Sequence, residues 1–367
     1  MTTYLTGLNS KLESTYDAAL LSGSLNFIAS ETQTITETEF NIECEICFAP
    51  ALAIKPQGIA PVVEAKSHEN IQKVNPFLPH DPALFVQDAS EHHKILLNKF
   101  CVVPRHFLIV TKDFHPQTQP LSPDDLLTAW NALQELKASH PDAIAFYNCG
   151  ARSGASQPHK HLQVIPTTHP TPITNLVREV IQRRPGRKET RPGDHFSVPF
   201  PCINHAILLQ DPENNPAGKD AEDILIEAYI SLMDSMLLSI REYAEQEHLS
   251  DEEKDLVMAG GRASGLAYNW ILTREFMMMV PRRQESTNPS EDGISLNINS
   301  LGFAGTVLAK TTEELELVKK RGLMEIVAET GFMFGKDGEG RSKEEEAQKK
   351  KEQEVLEKQM GGALSSL

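Results

Sequence analysis

Alternating apolar and polar positions divide much of the chain into short strands. Residues 144–148 are mostly apolar, and in residues 159–165 every second side chain falls on the same face of an extended strand. Two further segments, 94–111 and 267–282, each contain apolar runs separated by a short polar stretch with an arginine, which predicts a β-hairpin. In the first of them, the predicted turn is Pro104-Arg105-His106. The pattern therefore predicts antiparallel sheet structure in both halves of the chain.

Apolar residues at helical spacing predict two longer helices. Ser122-Pro-Asp-Asp125 looks like a helix start, with serine at the cap, proline at the first helical position and acids in the first turn. Leu126, Trp130 and Leu133 follow on one face, so this helix should pack on a sheet. The second helix is predicted from residue 220 to residue 247.

The second half of the chain echoes the first. The hairpin at 267–282 repeats the asparagine, arginine and apolar positions of the hairpin at 94–111, and a strand predicted at 200–209 completes a set of elements of similar size. Residues 296–310 take the place that residues 148–166 take in the first half. An internal duplication is therefore predicted, with a glycine-kinked edge strand as the alternative interpretation of 296–310.

The chain is long enough for two domains or two halves of one unit. Its densest run of basic residues extends from Arg178 to Arg191 and is interrupted by Pro185-Gly186. This run is either a surface loop or a segment that binds the distal phosphates of a substrate. We predict a catalytic first half at 1–180, a basic Pro/Gly loop at 181–200, a substrate-binding second half at 201–330 and a charged tail at 331–367, disordered or forming a fraying helix.

Charge and cysteine content exclude several classes of protein. The 51 acidic and 35 basic residues leave a formal net charge of −16, which opposes nucleic-acid and anionic-membrane partners. A site that binds polyphosphate would therefore need a local cluster of basic residues. Five cysteines are too few for a disulfide framework, and no apolar run has the length of a membrane span. We expect a cytoplasmic protein, with the nucleus as a second location, that is a monomer or a homodimer.

Cys44-Glu-Ile-Cys47 has the spacing of half a zinc site. His92-His93 and His159 would complete a four-ligand set. The alternative is a plain strand, because polar and apolar residues alternate around the two cysteines and the chain has no second Cys-x-x-Cys pair. We prefer the strand and predict no metal site built by the protein.

Two histidines carry the clearest chemistry in the sequence. His159, His161 and Gln163 would share one face of a strand. A neutral imidazole can attack phosphorus, and the phosphoramidate that forms stays reactive enough to transfer its group onward. Nucleotidyl transfer through His161 is therefore predicted. The alternatives are a core or surface histidine pair, or two metal ligands.

The loop before these histidines is rich in small residues. Gly150, Ser153, Gly154, Ala155 and Ser156 let backbone amides approach an anion and offer hydroxyl donors to it. A phosphate held by this loop would lie near the histidine strand.

Gly154-Ala-Ser-Gln-Pro-His-Lys-His-Leu-Gln163 resembles the His-x-His-x-Gln signature of the transferase branch of the histidine triad superfamily. In particular it is similar to the fungal diadenosine tetraphosphate phosphorylases, also called ATP adenylyltransferases. Residues 96–100, 103–107 and 298–305 share the resemblance, which runs from about residue 49 to residue 310. It implies an α+β fold of HIT-like antiparallel sheets with flanking helices, in which two duplicated halves form one compact unit.

The resemblance also implies an activity and its residues. The reaction would be phosphorolysis of diadenosine tetraphosphate to ADP and ATP through an adenylyl-histidine, and its reverse, with His161 as nucleophile assisted by His159 and Gln163. The implied substrate contacts are Lys55, Asn98, Lys99, Asn148, Gly154, Ala155, Ser156, Gln157, Gln163, Asn299, Ser300, Leu301, Thr306 and Lys310. The family usually has methionine at the position of Thr306. Diadenosine tetraphosphate, phosphate, ADP and ATP would be the partners, with Mg²⁺ accompanying the substrate and no organic cofactor.

Two other functions compete with this one. Hexose-1-phosphate uridylyltransferases share the His-x-His-x-Gln signature. They usually have proline between the two histidines, where this chain has Lys160. A non-catalytic sensor of diadenosine polyphosphates is the other. Hydrolysis is disfavoured because related hydrolases have a third histidine at the position of Gln163, and an amide cannot serve as a general acid.

Overall fold

Short strands and mostly longer helices make up the protein. The structure, a computed structural model, describes residues 4–53, 75–182, 191–212, 218–246 and 266–333. The strands, numbered in chain order, are β1 (Asn26–Phe27), β2 (Glu31–Glu37), β3 (Ile42–Phe48), β4 (Phe85–Asp88), β5 (His93–Leu97), β6 (Phe100–Cys101), β7 (Phe107–Thr111), β8 (Ile144–Cys149), β9 (His161–Ile165), β10 (His195–Phe196), β11 (His205–Leu208), β12 (Tyr268–Leu272), β13 (Phe276–Pro281) and β14 (Thr306–Ala309). The α-helices are α1 (Leu8–Ser22), α2 (Pro123–Glu135), α3 (Pro172–Gln182), α4 (Ala221–Gln246), α5 (Ser300–Phe303), α6 (Thr312–Arg321) and α7 (Leu323–Thr330).

Nine antiparallel strands form the central sheet, in the order β10-β11-β13-β12-β8-β9-β7-β5-β4. Strand β8 of the first half pairs with β12 of the second, so the two halves share one sheet. The histidine strand β9 lies between β8 and β7, away from both edges. The mixed composition of antiparallel sheets and helices confirms the predicted α+β class.

Each face of this sheet has its own core. On one face, α1, α2 and α4 pack over strand residues such as Tyr147, Leu162 and Trp270. On the other face, α3 and the segments α5 to α7 pack with strand β3 over residues such as Phe146 and Ile271. A smaller cluster on this second face, made of Phe77, Leu96, Leu108 and Val110, covers β5 and β7. The histidine site lies on the second face, beside the smaller cluster.

The predicted helices form as expected. Helix α2 begins with a capping box in which the Ser122 hydroxyl accepts from the Asp125 amide and the Asp125 carboxylate accepts from the Ser122 amide. Leu126, Trp130 and Leu133 are buried on one side of it, as predicted. Helix α4 covers nearly all of the predicted range 220–247. In the part of the chain that the structure describes, no helix has the length and apolar character needed to cross a membrane.

One predicted hairpin is confirmed and the other pairs differently. Strands β12 and β13 form the hairpin predicted at 267–282. In the first half, β7 pairs with β5, whereas Cys101 belongs to β6, which pairs in parallel with β1. An antiparallel hairpin is therefore present within 94–111, but the run just before Pro104 is not one of its strands, and the predicted pairing of the two runs around Pro104 is wrong. The connection from Leu97 to Phe107 is a long loop, in which Arg105 has a left-handed backbone with φ of 60°.

One predicted strand needs correction, and two predicted segments lie partly outside the described residues. The strand predicted at 200–209 is limited to β11, because the Asn204 side chain bonds to the backbone of Val198 and holds 198–204 as a loop. The predicted basic loop at 181–200 contains the end of α3 and strand β10; residues 183–190 lie outside the described part of the chain. The described chain continues to Met333, which forms a bridge with Cys202, whereas the rest of the predicted tail is outside the described residues.

Residues 296–310 do not join the central sheet. They form the short helix α5 and then β14, which pairs in parallel with β3 in a separate three-stranded sheet of order β14-β3-β2. Their predicted position, as a counterpart of the histidine strand, is therefore wrong. Instead, a strand from the second half of the chain completes a sheet begun in the first half.

Candidate active site

His161 and Gln163 share one face of strand β9, and Lys160, Leu162 and Val164 face the opposite core, as the alternation predicts. Across the sheet, His161 lies opposite Val110 and Gln163 opposite Leu108, both of which are on the second face. Leu162 and Val164 belong to the core of the first face. His159 comes just before the strand and forms an isolated bridge with Pro116.

The imidazole of His161 is buried and held in one orientation. Its Nδ1 lies 2.8 Å from the carbonyl oxygen of His159 and donates to it, so that Nε2 carries the lone pair. The ring of Phe77 packs beside it, with 5.4 Å between ring centroids. Burial lowers the pKa of His161 to about 4. The side chain is therefore a neutral imidazole with a fixed tautomer at neutral pH.

The imidazole of His159 is tied into the scaffold. Its Nε2 lies 3.0 Å from the Thr111 carbonyl and 3.1 Å from the Asp113 carbonyl, so it is a donor. Its Nδ1 accepts a hydrogen bond from the side-chain Nδ2 of Asn75 at 2.9 Å. Burial lowers the pKa of His159 as well. His159 contacts His161 through its backbone carbonyl, which sets the tautomer of the His161 ring.

The loop after β8 is shaped by two glycines with left-handed backbones. Gly150 has φ of 86° and Gly154 has φ of 80°. A Cβ on Gly154 would lie 2.5 Å from the Ile298 carbonyl oxygen, so this loop packs against the second half of the chain with no room for a side chain. The Ser153 hydroxyl is buried and donates to the Gly150 carbonyl at 2.6 Å. Ser156 is exposed, and Ala155 and Gln157 are half-buried.

Asn148 connects the first half of the site to the second. Its Oδ1 accepts from Asn269 Nδ2 at 2.8 Å, from the Ser300 amide at 3.0 Å and from the Ser300 hydroxyl at 2.7 Å. These three bonds fix the amide, and no hydrogen bond among the described residues uses Asn148 Nδ2. Two directed N–H donors are thus left for a ligand.

The predicted contacts in the second half lie in two places. Asn299 and Ser300 are at the start of α5, where the Asn299 side chain accepts from the Leu301 amide at 2.9 Å and packs against Gly154. Thr306 lies in β14, where its hydroxyl donates to Glu45 at 3.2 Å, and Lys310 follows as an exposed residue. The structure therefore brings residues 299–301 to the loop of the first half.

Two of the remaining predicted contacts, Asn98 and Gln163, interact with His106. The Asn98 side chain lies 3.1 Å from His106 Nδ1, and the Gln163 side chain interacts with the same ring. Burial lowers the pKa of His106 to about 4. Lys99 is exposed. Lys55 lies outside the described residues.

The zinc alternative finds little support in these positions. Cys44 is buried and Cys47 half-buried on strand β3, where an odd spacing turns their side chains to opposite faces. His93 Nε2 lies 2.7 Å from Asp125, and His159 is bonded as described above. Within the described ranges, no three side chains of histidine, cysteine, aspartate or glutamate are grouped as metal ligands.

Arg282 is a central residue of the site that sequence reasoning missed. Its side chain is 1% exposed, and its guanidinium donates to the Asn269 side chain and to the carbonyls of Ser153 and Ile298. Further bonds reach three more carbonyls, those of Thr330, Gln284 and Glu285. Burial lowers the pKa of Arg282 to about 9. Nothing in the sequence around Pro281-Arg282 distinguishes this arginine from a surface residue at the end of a strand.

Comparison with known proteins identifies the family of this chain. Residues 3–179 match the model of the Ap4A phosphorylase N-terminal domain, and residues 194–333 match that of the ATP adenylyltransferase C-terminal domain. Diadenosine 5',5'''-P1,P4-tetraphosphate phosphorylase 2 of Saccharomyces cerevisiae is 30% identical over 328 residues, which cover 84% of this chain and 89% of that protein.

Solved structures agree with this assignment. The crystal structure of yeast Ap4A phosphorylase Apa2 with AMP has a TM-score of 0.68 and 27% identity, covering 90% of this chain and 97% of that chain. The structure of the same enzyme with Ap4A has a TM-score of 0.67 and 26% identity, covering 89% and 98%. The chain therefore belongs to the Ap4A phosphorylase family of nucleotidyltransferases, as the histidine signature predicted.

Proposed function

We propose that the protein cleaves diadenosine tetraphosphate by phosphorolysis to ADP and ATP, and runs the reverse reaction, with His161 as the nucleophile. The observation that supports this most directly is the bond from His161 Nδ1 to the His159 carbonyl. It leaves Nε2 unprotonated on a ring that burial keeps neutral, which is the form of imidazole that attacks phosphorus.

Two displacements complete the reaction. The lone pair of His161 Nε2 attacks the α-phosphorus of one adenylyl group, the bond from that phosphorus to the bridging oxygen breaks, and ATP leaves with the electron pair. An oxygen of inorganic phosphate then attacks the same phosphorus, the phosphorus–nitrogen bond breaks, and ADP forms. His161 returns to its neutral state. His159 holds the tautomer in both steps through its carbonyl.

Gln163 favours transfer to phosphate. It lies on the same face of β9 as His161, and its amide can hold a phosphoryl oxygen but cannot release a proton to a leaving group or take one from water. ATP leaves as a stabilised polyphosphate anion and needs no general acid. The proposed role of Gln163 is therefore to orient the phosphorus between the two displacements.

The proposed substrate contacts combine both halves of the chain. Within the described chain, the side-chain amide of Asn148 has two N–H donors free, and residues 299–301 lie against the loop at 150–156. Asn98, Lys99, Thr306, Lys310 and Lys55 remain proposed contacts from the resemblance. Mg²⁺ would neutralise part of the polyphosphate charge and travel with the substrate. The free cysteines of the described chain support a reducing location such as the cytoplasm.

The test is a product analysis with diadenosine tetraphosphate and Mg²⁺, in the presence and absence of phosphate. We expect ADP and ATP only with phosphate, and a fall in rate of at least about a thousand-fold for His161→Asn. His169→Asn, which changes an exposed histidine, is the matched control and should keep full activity. AMP and ATP formed without phosphate would indicate a hydrolase, and binding without turnover would indicate a sensor. A preference for uridine nucleotides would favour uridylyl transfer.

A further inference from the structure

Strands β8 and β9 separate at the position of the nucleophile. They pair through Ile144 and Ile165, Ala145 and Val164, and Phe146 and Gln163. In the same register, Asn148 would lie opposite His161. Their backbones do not pair there, although β8 continues to Cys149 on its other side, along β12. The sheet therefore opens into a fork between the two residues proposed to meet the substrate.

The side chain of Gln117 fills this fork. Its Nε2 donates to the Asn148 carbonyl at 2.9 Å and to the His161 carbonyl at 3.2 Å, and its Oε1 accepts from the His161 amide at 2.8 Å. A carboxamide offers the same donor and acceptor as a peptide unit, so it can replace the direct backbone bonds while keeping the strands apart. Gln117 is 4% exposed, so water is largely excluded from these bonds.

The backbone of Gln117 holds the loop between the two strands. Its amide donates to the Pro158 carbonyl at 2.8 Å, near the end of the loop, and its carbonyl accepts from the Gly150 amide at 3.2 Å, at the start. The Tyr147 hydroxyl also donates to this carbonyl at 2.9 Å. One residue thus contacts both arms of the fork and both ends of the loop.

We propose that Gln117 is a positioning residue that sets the spacing between the His161 imidazole and the Asn148 amide. This inference rests on the proposed function, because the spacing matters only if a phosphoryl group lies between these residues. Directly paired strands lie about 4.7–4.9 Å apart, which leaves no room for an inserted group. The Gln117 carboxamide keeps this gap open and fixed, so that the phosphorus bound by Asn148 lies in line with His161 Nε2.

The experiment compares Gln117→Leu and Gln117→Asn with Gln87→Leu. Gln87 is also a buried glutamine of the first half, but its Nε2 bonds to the Tyr4 carbonyl in another part of the structure. For Gln117→Leu we expect kcat to fall about a hundred-fold, the loss typical of a 1 Å misplacement, while KM stays within about three-fold. The rate of adenylyl-histidine formation in a single turnover should fall by the same factor. Gln117→Asn should be intermediate, and Gln87→Leu should keep kcat.

Each other outcome contradicts the inference in a distinct way. If kcat of Gln117→Leu falls no further than that of Gln87→Leu, Gln117 is only a structural residue. If KM rises while kcat is kept, Gln117 supports binding and not positioning. If Gln117→Leu does not fold, Gln117→Asn decides, and unchanged kcat in that variant overturns the inference. An inactive wild-type protein would contradict the proposed function instead, since the assay of the variants then has no reference rate.

Discussion

The reactivity of His161 follows from two properties of one residue. The carbonyl of His159 accepts a hydrogen bond from Nδ1, which fixes the tautomer, and burial disfavours the charged ring. The hydrogen bond alone would raise the pKa of His161, but burial outweighs it and lowers the pKa to about 4. An exposed histidine titrates near 6.5 and would be partly protonated in mildly acidic solution. His161 should therefore remain an available nucleophile in conditions that protonate ordinary histidines.

This predicts the acid limb of the pH–rate profile. Protonation of His161 removes its lone pair, so kcat/KM falls as pH decreases through the pKa of the free enzyme. With a pKa of about 4, the half-fall should lie well below pH 6.5. Measurement of kcat/KM between pH 4.5 and 8, with circular dichroism to verify folding, would show whether activity is retained as the pH falls through 6.5. A half-fall near pH 6.5 would contradict the assignment of His161 as a buried neutral base.

Local sequence predicted the strand faces of these residues but not their partners. The period of two places His161 and Gln163 together because neighbouring side chains of a strand alternate. Asp125 was predicted only as an acid in a first helical turn, yet it is 1% exposed and pairs with buried Lys160 and His93. Burial alone would raise the pKa of Asp125, but the His93 hydrogen bond and the Lys160 ammonium hold it well below its usual range. Such partners, more than thirty residues apart, leave no local pattern.

At the scale of elements, the loop at 150–156 and the start of α5 form one unit although they come from different halves. Arg282 donates to the Ser153 carbonyl in the loop and to the Ile298 carbonyl before α5. Asn148 and Ser300 make a second link between the same segments. A change at the junction should therefore affect folding and substrate binding together.

Replacement of Arg282 by methionine tests this junction. Six oxygens would lose the guanidinium as a donor, and three of them, Asn269 Oδ1 and the carbonyls of Ile298 and Gln284, have no other donor among the described residues. Each group left unsatisfied in a buried site costs about 1–3 kcal/mol. We expect the free energy of unfolding to fall by at least about 3 kcal/mol and KM for diadenosine tetraphosphate to rise. Denaturant unfolding and steady-state kinetics would measure both.

Arg274→Met is the matched control, since Arg274 is a half-buried arginine that donates to the Leu133 and Pro141 carbonyls away from the site. Its unfolding free energy should change by less than about 1 kcal/mol. Equal effects of the two substitutions would show that Arg282 has no special role at the junction.

Which elements could be predicted depends on the distance between paired segments. Helix α2 and the hairpin β12–β13 are specified by neighbouring residues, through a capping box and a short turn. The pairing of β6 with β1, and of β14 with β3, depends on contacts across large parts of the chain. No period or turn signal encodes these contacts, so the predicted places of both segments were wrong.

At the scale of the whole molecule, the two halves share a sheet and should unfold together. Strand β8 is buried along its whole length and pairs with β12 of the second half. Calorimetry of the full chain should show a single transition whose van't Hoff and calorimetric enthalpies agree. A fragment of residues 1–190 would expose β8 as an unprotected edge and should aggregate. Two separate transitions, or a fragment that stays monomeric and folded, would contradict this.

The pairing of β14 with β3 also affects the order of events during synthesis. Strand β3 ends at Phe48, and its parallel partner begins at Thr306, about 260 residues later in the chain. At translation rates of roughly 5–20 residues per second, the ribosome takes roughly 13 to 50 seconds to make the residues between them. During this time β3 has an unpaired edge on the nascent chain. The first half must therefore wait for the second before its three-stranded sheet can be completed.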